Sequence, residues 1–262
     1  MSARLGSTLE WVHSAGYRRT AAAAANLLYR DRSFEIDADG DWVSRQSQAV
    51  FVSPTPFAQR YEYVRDKVSD EWLFDHRLTP GEVVFDVGAG LGEEAIVFAD
   101  MAAKVFSIEA HPVTFRCLDK TVRQSRRTNV VPLQLALADK DGELRISSSD
   151  NHLDNSVMGT AGKASSVAVP ARSLQSLCRE HGIGRIDFLK MNIEGAERLA
   201  VQGFGDVDIR NLAISCHDFL PGAETQTQAQ VAQYLTSAGY RVRGRPDHPR
   251  PWTRHTLYAH KA

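Results

Sequence analysis

The sequence is poor in cysteine, balanced in charge and without a long apolar run. Its three cysteines, Cys117, Cys178 and Cys216, are odd in number and far apart in 262 residues. That pattern fits neither a disulfide framework nor a zinc site and points to a reducing, cytoplasmic setting. A net charge of −1 and a pI near 6.8 leave no global field to draw in nucleic acid or an acidic membrane. The run Ala21 to Leu28 covers eight residues, contains Asn26 and is closed by Arg30 and Arg32. It is too short for a membrane span and lacks an export cleavage site, so the twin arginine before it is read as the start of an alanine-rich helix packing on the domain or on a partner. No internal repeat is present.

What the chain does contain is ordinary for a globular fold: 43% hydrophobic and 24% charged residues. Residues 1–80 read as an accessory region. A helix is expected from Leu9 to Tyr29, then a hairpin turning at Asp39-Gly40, then a helix opening at Thr55 and Pro56. From residue 81 to 262 strands and helices alternate, which predicts a parallel sheet covered on both faces. The expected strands are Val83–Val87, Val105–Glu109, Val130–Leu137, Asp187–Ile193 and Leu212–His217. The expected helices are Leu91–Ala102, Pro112–Arg126, Leu174–Glu180, Ala196–Gln202 and Gln226–Ala238. After Tyr240 two short strands without an intervening helix predict a terminal antiparallel hairpin. Ser147 to Ser166 is a polar loop, long enough to be a substrate lid or simply mobile.

The stretch Val83 to Ala95 places Gly88, Gly90 and Gly92 directly after an apolar strand that contains Asp86. Glycines there permit positive φ and close backbone approach, so a small ligand is expected on the turn. Dinucleotides and S-adenosylmethionine both use such turns. Glu93 and Glu94 open the following helix and would repel a pyrophosphate, whereas a sulfonium carries no phosphate. Glu109, nineteen residues after Gly90 at the end of the second strand, is placed to accept hydrogen bonds from ribose hydroxyls.

Five stretches in order, "FDVGAGLGEEA", "SIEAHPVTFRCL", "LALADKDGEL", "IDFLKMNIEGAE" and "ISCHDF", resemble the FkbM family of S-adenosylmethionine-dependent methyltransferases. The resemblance implies a Rossmann-like class I methyltransferase fold, a seven-stranded α/β sheet whose last strand is antiparallel. It also implies S-adenosyl-L-methionine as cofactor and O-methylation of a sugar, glycolipid or polyketide-type natural product. By matching positions, Asp86, Gly88, Ala89 and Gly90 form the methionine-binding turn, Glu109 with Ala110 holds the ribose, and Ala136 with Leu137 borders the adenine. Asn192 stands where relatives carry an acid. An amide can still bond the cofactor's amino-acid end but is a poor base and a weak ligand for a hard cation, so no metal is expected.

Lys190, Asn192 and Glu194 alternate along one strand and share a face. Glu197 is read as stabilising a helix N-terminus and Lys190 as a compensated structural charge. His152 is read as a solvated loop histidine. Methyl transfer to oxygen must align acceptor and methyl group and dispose of a proton. His217 is expected to accept it, oriented by Asp218 or Glu194 on the neighbouring strand. The other function classes are a non-catalytic cofactor-binding scaffold and a nicotinamide oxidoreductase. Expected partners are a small-molecule, glycan or glycolipid acceptor and a second copy of the chain through the N-terminal region, with neither nucleic acid nor integral membrane association.

Overall fold

The structure is a computed structural model, and it describes residues 16–56, 59–147, 166–219 and 226–261. The polar loop from Ser147 to Ser166, with His152, falls outside the described residues except at its two ends, as does the first part of the expected N-terminal helix. Among the described residues no helix is long and apolar enough to cross a membrane.

The central sheet has seven strands: β4 (Val83–Val87), β5 (Lys104–Ile108), β6 (Val130–Leu133), β10 (Arg185–Met191), β11 (Asp208–Ser215), β12 (Tyr240–Gly244) and β13 (Thr256–Lys261). Their spatial order is β6-β5-β4-β10-β11-β13-β12. The first five are mutually parallel, and β13 runs antiparallel between β11 and β12. This is the class I methyltransferase arrangement, and the terminal hairpin falls where it was expected. Chain order reverses between β4 and β10, the switch point at whose carboxyl edge such sheets bind ligands. The strands are apolar because both faces are covered: Val84, Phe85, Leu189, Ile209 and Ala213 are inaccessible to solvent. One face is covered by α3 (Glu93–Ala99) and α4 (Pro112–Gln124), the other by α5 (Leu174–Glu180), α6 (Glu197–Gln202) and α7 (Gln228–Ser237).

The expected strand Val130–Leu137 does not exist as one element. β6 ends at Leu133, and Ala136–Leu137 (β7) leaves to join a second sheet with β8 (Gly142–Ser147) and β9 (Ser166–Arg172). Pro132 is accommodated because β6 is the sheet edge, where a missing N–H breaks no ladder bond.

The accessory region supplies α1 (Arg18–Leu28), the three-stranded sheet β1 (Ser33–Ile36), β2 (Trp42–Arg45) and β3 (Val50–Ser53), and α2 (Tyr61–Lys67) continued by a π turn at Val68–Trp72. The β1–β2 hairpin turns at Gly40 as expected. The helix placed at Pro56 begins instead at Tyr61. Ala21, Ala22 and Ala25 pack on Phe34 and Trp42, and Asn26, which interrupts the apolar run, exchanges two hydrogen bonds with the backbone of Phe34 at 2.6 and 2.9 Å. On its other side the small sheet is fastened to α4: Val52 N–H donates to Thr121 Oγ1 at 3.0 Å and Val50 N–H to Ser125 Oγ at 2.9 Å. Lys120 Nζ lies 2.6 to 2.7 Å from carboxylates of Asp37, Asp39 and Asp41, so that acidic cluster surrounds an ammonium from α4.

Candidate active site

The cleft opens at the carboxyl edge of β4, β5 and β10. It is lined by Gly88, Ala89, Gly90, Glu109, Ala110, Ala136, Leu137 and Asn192, eight of the nine residues expected at a cofactor. Asp86 is the exception. It is fully buried beneath the turn, 2.9 Å from Lys190 Nζ, and makes an ion pair rather than a well-directed hydrogen bond. Burial raises its carboxyl above the usual range, with Lys190 opposing. Its place in the strand interior makes it a support for the turn and not part of the wall.

Two glycines explain the turn. Gly88 has φ +73°, and a Cβ there would stand 1.9 Å from the backbone oxygen of Asn192, so the turn packs directly on the loop after β10. Gly90 has φ +56°, and a Cβ there would meet no protein atom within 4 Å, because this position faces the cleft. Its N–H donates to Glu109 Oε2 at 3.1 Å, while His111 N–H donates to Glu109 Oε1 at 2.9 Å. Glu109 therefore joins the ends of β4 and β5. Each carboxylate oxygen has a second lone pair to offer a ligand hydroxyl. Burial pushes its carboxyl up to about 7 against those two backbone donors.

Glu93 and Glu94 occupy the first turn of α3 and both line the cleft. They differ in company. Glu94 Oε1 accepts from Lys67 Nζ at 2.8 Å and Trp72 Nε1 at 2.9 Å, and its Oε2 lies 3.1 Å from Lys190 Nζ. Burial would raise its carboxyl, and the two lysines outweigh burial and hold it below the usual range. Glu93 forms no ion pair among the described residues, and burial pushes it up to about 7, opposed by its own backbone N–H. A cleft walled by these carboxylates disfavours a pyrophosphate and suits a cationic ligand.

At Glu194 the cleft wall meets a carboxylate–imidazole–carboxylate row. Glu194, at φ +52° one residue before Gly195, holds a conformation rare for a side-chain-bearing residue, and it lines the cleft. His217 Nε2 lies 3.2 Å from Glu194 Oε1, and Nδ1 lies 2.7 Å from Glu197 Oε1. Glu197 is inaccessible to solvent and also accepts from Gly195 N–H at 3.1 Å and Thr227 Oγ1 at 3.0 Å. Burial would depress the imidazole, and the two carboxylates overcome it and push its pKa up to about 9. His217 is thus an imidazolium at neutral pH with both N–H groups engaged, buried behind Glu194. Asp218 takes no part in the row. Its Oδ1 accepts from the N–H groups of Thr227 and Gln228, both at 2.9 Å, and fixes the start of α7.

Sequence reasoning missed Glu197 as a partner of His217, and it missed Gln59 and Lys67, which reach the cleft from the accessory region. Neither has a sequence signal, since both depend on how distant segments pack.

A seven-stranded class I sheet, a glycine turn with Glu109 at its side and an acid-lined cleft at the switch point are the fold and site that the motifs imply. The methyltransferase FkbM domain model matches residues 86–242, more than half of the chain, and the chain belongs to that family. The likeness of its motifs to that family implies S-adenosyl-L-methionine as cofactor. The open space at Gly90, the unpaired carboxylate of Glu93 and the remaining lone pairs of Glu109 fit that molecule. A comparison with curated proteins gave no match. Among solved structures, the methyltransferase FkbM of Methylobacillus flagellatus KT is 17% identical with a TM-score of 0.49, the alignment covering 71% of this chain and 45% of that one, so this chain spans under half its length. Fibrillarin of Aeropyrum pernix, with natively bound S-adenosyl-L-methionine, is 12% identical over 89% of this chain and 95% of its own, with a TM-score of 0.47. A SAM-dependent methyltransferase of Aquifex aeolicus is 16% identical over 78% and 100%, with a TM-score of 0.44.

Proposed function

We propose that this protein is an O-methyltransferase acting on a hydroxyl group of a sugar, glycolipid or polyketide-type molecule, with Glu194 receiving the hydroxyl proton. The observation that carries the reading is the strained turn that brings Glu194 to the cleft wall in front of the buried His217–Glu197 pair. A non-glycine residue held at positive φ costs about 1 kcal/mol or more, and such strain persists where the surroundings fix it for a purpose.

S-adenosyl-L-methionine supplies an electrophilic methyl group. Gly88, Gly90 and Glu109, which line the cleft, would hold it at the turn, Ala136 and Leu137 would border its ring, and Asn192 would stand by its amino-acid end. The acceptor oxygen becomes strongly acidic as its new bond to carbon forms, so a carboxylate suffices to take the proton and a stronger base is not required. His217, already protonated, is a poor proton acceptor. It acts as a positioning residue, donating from Nε2 to Glu194 while Glu197 fixes its other nitrogen. This changes the expectation for His217, which the sequence placed as the base, and it gives Asp218 a structural place at α7.

The test is methyl transfer from isotopically labelled cofactor to a panel of hydroxyl-bearing acceptors, with the product's methylated atom read by mass spectrometry and NMR. Glu194→Gln is expected to lower kcat about a hundredfold or more with cofactor affinity nearly unchanged. Methylation at nitrogen or carbon, or full turnover by the variant, would remove the proposed role.

A further inference from the structure

Two ammonium groups enter the cleft, those of Lys190 and Lys67, and they are not equivalent. Lys190 Nζ is surrounded by three protein oxygens: it donates to Gly88 O at 2.8 Å and is ion-paired with Asp86 Oδ1 at 2.9 Å and Glu94 Oε2 at 3.1 Å. Its side chain is 1% exposed, and it sits over the Trp72 ring at 5.2 Å. Nothing remains on it for a ligand. Lys67 Nζ meets Glu94 Oε1 at 2.8 Å, which uses one N–H, and its side chain is 26% exposed. Two donors on a charged nitrogen are left, on a residue that lines the cleft.

Besides the two lysines the wall carries four carboxyl groups, Glu93, Glu94, Glu109 and Glu194, among mostly apolar neighbours. An amino-acid end is a zwitterion. Its ammonium has several carboxylates to choose from, whereas its carboxylate has one cation with donors to spare among the described lysines and arginines of the cleft. Glu94 fixes the Lys67 ammonium in place, and Trp72 fixes Glu94, so the ordering of a long side chain has already been met before a ligand arrives.

We propose that Lys67 binds the carboxylate of the cofactor's amino-acid end, which makes the accessory region a cofactor-binding element although it lies outside the family domain at residues 86–242. The inference rests on S-adenosyl-L-methionine as cofactor. Lys67 and Glu94 act as one unit: the carboxylate of Glu94 neutralises and orients the ammonium, and the ligand carboxylate completes its shell.

Two ligands separate the amino-acid end from the nucleoside. S-adenosylhomocysteine carries that end, and 5′-methylthioadenosine lacks it, while both are uncharged at sulfur. By titration calorimetry on the full chain, Lys67→Met is expected to weaken S-adenosylhomocysteine about 10- to 100-fold and to change 5′-methylthioadenosine by less than about threefold. Lys67→Arg should recover part of the loss. Equal losses for the two ligands would make Lys67 a structural residue and overturn the proposal, as would unchanged S-adenosylhomocysteine affinity. Should the methionine variant bind neither ligand, Lys67→Gln, which keeps a hydrogen bond to Glu94, is read by the same two ligands and the same outcomes. Wild-type protein that binds neither ligand would overturn the cofactor reading itself, a result distinct from a wild type that binds both and a variant that behaves like it.

Discussion

Lys190 Nζ donates a 2.8 Å hydrogen bond to the carbonyl oxygen of Gly88, so an ammonium on β10 holds the glycine turn of β4 in its positive-φ conformation. The two strands are hydrogen-bonded neighbours, with Lys190 opposite Asp86 in the ladder. The turn is therefore built from two segments separated by 102 residues, and its two critical glycines carry different constraints.

Gly88→Ala is expected to destabilise the protein by at least about 2 kcal/mol, since the new Cβ collides with backbone and cannot move aside. Gly90→Ala should cost about 1 kcal/mol of fold and abolish cofactor binding, because its Cβ projects into the space the ligand needs. Chemical denaturation paired with S-adenosylhomocysteine calorimetry separates the two. Gly88→Ala with wild-type stability, or Gly90→Ala with wild-type affinity, would contradict the geometry.

Cofactor affinity is expected to rise with pH. Burial pushes the carboxyls of Glu93 and Glu109 up to about 7, and a cationic ligand favours their ionised forms, so binding expels protons. The dissociation constant for S-adenosyl-L-methionine should therefore fall from about pH 6 to about pH 8, and Glu93→Gln should flatten the slope. Calorimetry in two buffers of different ionisation heat counts the protons directly. Affinity independent of pH, with no proton release, would show that neither carboxyl meets the ligand's charge.

These side chains show what the sequence makes legible. The glycine turn, Glu109 at a strand end and the terminal hairpin follow from short-range patterns, namely apolar runs, glycine spacing and the order of elements, while the adjacency of β10 and β11 follows from the class I order that the resemblance implies. The break of Val130–Leu137 does not, because Ala136 pairs with Ala171 and no residue inside the stretch announces a partner so far along the chain. Glu197 looked like a helix-start carboxylate, and it is one. Its bond to His217 arises from the packing of α6 beside the end of β11. Lys67 and Trp72 reach Glu94 from a region that shares no motif with the family domain.

The His217 row should make stability fall in mild alkali. The imidazole's pKa is raised from 6.5 to about 9 by Glu194 and Glu197 in spite of burial. A group raised in the folded state contributes its full stability below its unfolded value, and loses it as pH climbs through the folded value. The window is thus about 6.5 to 9, and the contribution is on the order of 3 kcal/mol. His217→Gln should be less stable than wild type at pH 6, with the difference narrowing by pH 9.5 as measured by thermal melts. A difference that stays constant across that range would mean the imidazole is not charged in the native state.

Removing the ammonium of Lys120 should loosen the accessory sheet first. Lys120→Met leaves Asp37, Asp39 and Asp41 facing one another, with Arg116 remaining for Asp41 at 2.7 Å. The expected loss is about 1–3 kcal/mol, smaller than for a fully buried group since Asp39 is solvent-exposed. Limited proteolysis should cut between Ser33 and Ser53 before the central sheet yields. Unaltered protease resistance would mean that the hydrogen bonds from Val50 and Val52 to α4 carry the docking by themselves.

The π turn at Val68–Trp72 turns Trp72 inward onto Glu94, while Asp70 and Glu71 bond residues near the end of the chain. Arg245, Arg250, Trp252 and the Tyr258 hydroxyl all bond this pair, Tyr258 to the Glu71 carbonyl at 2.6 Å. These residues come from β13 and the segment leading into it, and β13 must slide between β11 and β12 to complete the sheet. During synthesis on the ribosome, the wall that carries Lys67 is made early and locked late. A nascent chain that has emerged only through β12 carries the residues of the glycine turn without the brace behind Trp72.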